Sequence, residues 1–69
     1  MTPTELRAIR KRVAPDLTQA QWAAALDYDD ARSYRRYESI RGRPVPPLLA
    51  KLAEMLDRHG MPEEWRPSG

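Results

Sequence analysis

From residue 29 the chain reads DDARSYRRYESIRGR, and the chemistry concentrated there is guanidinium. Arg32, Arg35, Arg36, Arg41 and Arg43 lie within twelve positions that contain a single carboxylate, Glu38. Arginine forks donate in pairs to phosphate and to guanine edges, so this segment is equipped to recognise a polyanion such as nucleic acid. Taken as charge alone, the same residues would also make an ordinary solvated helix face. Other chemistry is thin. Asp27, Asp29 and Asp30 lack the glycine and the distal glutamate of a calcium loop and read as caps and turn residues, so no metal or other cofactor is implied. His59 is the sole histidine and stands at a helix end, and Ser33 has no histidine at a useful spacing. No set of nucleophile, base and stabiliser can be assembled, and the expected class is not an enzyme.

The 69 residues allow one domain with a modest core, and a two-domain enzyme is excluded. The net charge of +2 is unevenly spread: residues 1–43 hold nine Lys/Arg against six Asp/Glu, and residues 44–69 hold three against four. Cysteine is absent, which removes disulfides and thiolate metal sites. No apolar run approaches the length of about 18 residues that a membrane span needs, and MTPTELRAIRKR has no apolar signal core. A cytoplasmic protein without a membrane partner is expected.

Periodicity gives helices and no strand, hence an all-α domain, a compact bundle of four to five helices over residues 1–69. Thr2, Pro3 and Glu5 announce the first helix as cap, first position and capping-box partner. Leu6, Ile9 and Val13 form its buried stripe, and Pro15 ends it. Thr18 and Gln21 repeat the capping device for a second helix running to about Leu26. Asp29 or Asp30 caps a third helix in which Ala31, Tyr34 and Tyr37 face inward while Arg32, Ser33, Arg35 and Arg36 face outward. SIRGRPVPP reads as a loop. A fourth helix over about 46–59 carries Leu48, Leu49, Leu52, Met55 and Leu56 on one broad face, and Gly60 stops it. The tail can add one turn that docks Trp65. A strip containing Met55, Leu56, Met61 and Trp65 is expected to be left for a second copy of the chain.

The run LTQAQWAAAL followed by RSYRRYESIRGRPVPP resembles the lambda-repressor-like helix-turn-helix domain of the Xre and Cro class, over residues 4 to about 58, with the helix-turn-helix at about 18–39. The resemblance implies a homodimeric transcriptional regulator, a repressor or autorepressor, that reads a palindromic operator in double-stranded DNA through the major groove. It fits regulators of phage or mobile-element operons, such as anti-CRISPR or toxin–antitoxin pairs. Residue by residue it assigns Ala31, Arg32, Ser33 and Arg36 to base edges, and Thr18, Gln19, Arg35, Arg41 and Arg43 to the DNA backbone. It pairs Arg10 of the first helix with Glu38, with Arg12 as a rival to Arg10. In place of the family's turn glycine stands Asp27, followed by Tyr28, so the turn is expected to close differently. With no effector domain in 69 residues, no small-molecule effector is expected. The alternative is a protein-interaction module, an antitoxin or adaptor, whose basic helix binds an acidic protein surface.

Overall fold

The computed structural model describes residues 1–39, 41 and 44–66. Among these residues the chain is all helical, with four α-helices, one single 3-10 turn and no strand. The described helices are α1 (Pro3–Val13), α2 (Gln19–Ala25), α3 (Ala31–Glu38) and α4 (Pro47–His59), and the 3-10 turn is Glu63–Trp65. No helix among the described residues is long and apolar enough to cross a membrane.

Both expected capping boxes form. The Thr2 and Thr18 side chains accept from the amides of Glu5 and Gln21, whose own side chains return to the cap backbones. These reciprocal bonds occupy amides that a helix start otherwise leaves open. At the end of α1 the Ala14 amide donates to the Arg10 carbonyl, and Leu17 closes a turn back onto Ala14. Ala14 is fully buried against the core, while Pro15 and Asp16, which follow it past the helix end, are exposed.

The α2–α3 connection departs from the expectation that it closes differently for want of a glycine. Asp27 itself takes the left-handed conformation, with φ 66°. The Tyr28 amide reaches the Ala23 carbonyl at 2.9 Å, and the Asp27 amide reaches the Ala24 carbonyl at 3.0 Å. These two bonds are the Schellman pattern, which satisfies the last open carbonyls of α2 and usually recruits glycine at that position. Aspartate is among the few other residues that visit this region. Asp30, rather than Asp29, caps α3, its carboxylate accepting from the Arg32 amide at 2.9 Å.

α1 packs against α3 and α4, and α2 packs against α3. Their shared core consists of Leu6, Ile9, Ala14, Trp22, Ala23, Leu26, Tyr34, Leu49, Ala53 and Leu56. The broad apolar face expected on α4 divides. Leu49, Ala53 and Leu56 point into the core, Leu52 lies half-buried at the boundary, and Leu48 and Met55 are 81% and 61% exposed. At about 100° per residue, positions 49, 53 and 56 share one line of the helix and positions 48 and 55 share another, so a single packing partner buries only the first. Leu56 is therefore core and not available to a second copy. Met61 is also half-buried against the core. Arg12 pairs with Asp57 through two 2.7 Å bonds and ties α1 to α4, which removes it as a rival to Arg10. This bond holds the Asp57 carboxyl below its usual pKa. Arg66 reaches Asp16 at 3.0 Å and fastens the tail to the α1–α2 loop.

Candidate nucleic-acid interface

The arginines of α3 are presented by a helix whose inner face is fixed at three points. First, Tyr34 is buried beneath Trp22, whose indole Nε1 donates to the Tyr34 hydroxyl at 2.6 Å. Burial and a hydrogen bond to Glu38 push the Tyr34 phenol far above its usual pKa, so it stays neutral. Second, Tyr28 stands edge-on to both Tyr34 and Tyr37, with ring centroids 5.5 and 6.1 Å away. Such arrangements add about 0.5–1.5 kcal/mol beyond area burial. Burial, followed by the neighbouring Tyr37, raises the Tyr28 pKa as well.

Third, Glu38 gathers three helices. Its carboxylate accepts from Arg10 Nε at 3.1 and 2.9 Å and from Gln19 Nε2 at 3.1 Å. Gln19 Oε1 in turn accepts from Arg35 Nε at 3.2 Å. The Glu38 side chain is 3% exposed and that of Arg10 13%, so the ion pair is largely removed from water and each charge depends on the other. Arg10 and Glu38, paired in the sequence reading, thus stand at hydrogen-bond distance, and Gln19 adds the start of α2 to the same junction.

On the opposite side of α3, Arg32, Ser33 and Arg36 are exposed, and neither arginine forms an ion pair among the described residues. Arg32 and Arg36 are four residues apart and project along one edge, with Ser33 beside them. Ala31 is half-buried at the first turn. Thr18 is exposed, and its oxygen is engaged in capping α2. Arg41 is exposed beyond the end of α3, and Arg43 lies outside the described residues. Two exposed guanidiniums on one edge of this helix can donate to base edges or phosphates.

Against protein-family models, curated proteins and solved structures, the chain matches none.

Of the residues expected at an interface between copies, Met55 and Trp65 are exposed, Trp65 by 36%. Trp65 and Leu52 line one groove of about 350 Å³ with Ala24, Ala25, Leu26, Asp27 and Glu64. Leu48, on the broad apolar face expected for α4, is exposed with Met55. Tyr28, which the sequence places at the turn with no site role, packs its ring edge-on against both inward tyrosines of α3.

Proposed function

We propose that the protein is a sequence-specific double-stranded-DNA-binding regulator of the lambda-repressor-like helix-turn-helix kind. In this reading α2 and α3 form the helix-turn-helix and α3 enters the major groove. The observation that carries it is the exposed edge of Arg32, Ser33 and Arg36 on a helix braced from behind by Trp22 and by the Arg10–Glu38–Gln19 junction. A groove-reading helix must hold its side chains in register, and a braced helix leaves only the side chains, not the backbone, to be ordered on binding. Arg32 and Arg36 donate to base edges, guanine being the favoured partner, while Gln19, Thr18, Arg35 and Arg41 meet the strand backbone. Occupation of an operator by such a protein represses by blocking transcription.

The homodimer belongs to the same proposal. Leu48, Leu52 and Met55 make an outward apolar stripe on α4, and Lys51 and Glu54 along its edge are self-complementary when two such helices meet antiparallel across a two-fold axis. A protomer of 34 × 25 × 19 Å is of a size to set two equivalent α3 helices one DNA turn, about 34 Å, apart.

The test is fluorescence anisotropy with the duplex upstream of the protein's own gene and a shuffled duplex, for wild type and Arg36→Ala. The expected result is at least about tenfold preference for the upstream duplex. Arg36→Ala should cost about 1–3 kcal/mol on that duplex and relax the preference. Weak, equal binding to both duplexes, unaltered by the substitution, would overturn the reading and favour an acidic protein partner.

A further inference from the structure

Between α1 and α3 lies a depression of about 330 Å³ lined by Arg7, Arg10, Gln19, Arg35, Glu38 and Ser39. Three guanidiniums and one carboxylate meet there. Arg10 and Glu38 compensate each other at 2.9 Å, and among the described residues Arg35 is bonded only to the neutral amide of Gln19. Arg7 is exposed and forms no ion pair among the described residues. Two positive charges are thus left over at one concavity. Its unspent groups are mostly donors: the Arg7 fork, the terminal nitrogens of Arg10 and Arg35, and the Ser39 hydroxyl. The one carboxylate already accepts from Arg10 and Gln19. Surplus donors with surplus positive charge call for an anion rich in acceptor oxygens, and at about 30 Å³ per water the space admits a phosphate with several waters.

We propose that this depression is a phosphate site, with Arg7 of α1 as a ligand beside Arg35 and Ser39, and that in the DNA-bound protein it holds one phosphate of the strand backbone. The second part rests on the DNA-binding reading above. Arg35 lies one turn along α3 from Arg32 and next to Arg36, so the site flanks the base-reading edge. Arg7 adds a grip from α1, a helix to which no DNA contact was assigned. Because a phosphate carries no sequence information, the contribution of Arg7 is to affinity and salt dependence alone.

The test is binding of wild type and Arg7→Gln to the upstream and shuffled duplexes between about 50 and 200 mM salt, where each neutralised phosphate contributes about 0.9 to the slope of log K against log salt. The expected result is that Arg7→Gln weakens both duplexes by the same factor and lowers the slope by about 0.9, with an unchanged Tm. An unchanged slope would overturn the site while leaving the DNA-binding reading intact. Should the wild type bind neither duplex, the DNA reading falls, and titration with inorganic phosphate decides the site separately. Saturable NMR shifts of the Gln19 side-chain amide and the Ser39 backbone amide, lost in Arg7→Gln, support it, and their absence overturns it.

Discussion

Tyr34 joins an apolar and a polar role in one side chain. It fills the space under α3, and its hydroxyl accepts a hydrogen bond from a buried indole N–H. Removal of that hydroxyl keeps the ring but leaves Trp22 Nε1–H without a partner, at a cost of about 1–3 kcal/mol. Tyr34→Phe should therefore lower the urea-derived stability by that amount, and a neutral result would mean that water reaches the indole. The substitution also has a pH signature. The folded pKa of Tyr34 is raised, so the stability it confers is fully present below the unfolded value of about 10 and is lost as the pH climbs above it. Wild type should weaken steeply above about pH 10, while Tyr34→Phe retains only the shallower slope that Tyr28 contributes. Equal alkaline slopes in the two proteins would contradict this account.

Elements are held by their ends here as much as by their faces. The shortest described helix, α2, has a capping box in front and the two Schellman bonds behind, the latter made by a left-handed Asp27. A left-handed L-residue costs roughly 1–2 kcal/mol, less for aspartate, against the roughly 0.5–1 kcal/mol that glycine loses through unfolded-chain entropy. Asp27→Gly should thus raise stability modestly, by at most about 1 kcal/mol or a few degrees in Tm. Asp27→Val, with a branched side chain in the same conformation, should lower it. A fall in Tm for Asp27→Gly would show that the aspartate side chain contributes more than its backbone strain costs.

At the scale of the whole molecule, the ties between distant segments and the uncovered surface of α4 set the behaviour. Arg12–Asp57 and Asp16–Arg66 are exposed ion pairs that guide the packing of α1, α4 and the tail with little energy each. The Asp16 carboxyl lies below its usual pKa, through its own backbone amide first and Arg66 second. The α4 stripe is the larger feature. Leu48→Glu alters a side chain 81% exposed and should change monomer stability by less than about 0.5 kcal/mol while shifting sedimentation equilibrium toward monomer. Leu56→Ala, one face away, should cost about 2–5 kcal/mol because it opens a hole in the core. Association undiminished by Leu48→Glu would place the interface between copies elsewhere.

Local signals were sufficient for the four helices, the capping boxes of α1 and α2, the inward tyrosines and the outward arginines of α3, because capping, proline and 3.6-residue periodicity act within a few residues of their cause. A charge pattern of five arginines against Glu38 likewise needs no tertiary knowledge to mark a candidate face. What depended on the packed molecule was every choice between neighbours equivalent in type. Leu49 and Leu56 face inward and Leu48 and Met55 outward because α1 covers one side of α4 only. Arg10 rather than Arg12 meets Glu38, since the twist of α1 turns position 10 toward α3 and position 12 toward α4. Asp27 adopts a glycine's conformation where the chain must reverse, and Arg7 joins Arg35 across a gap of 28 positions. Such pairings depend on how two helix axes cross, a long-range property that composition and local periodicity do not contain.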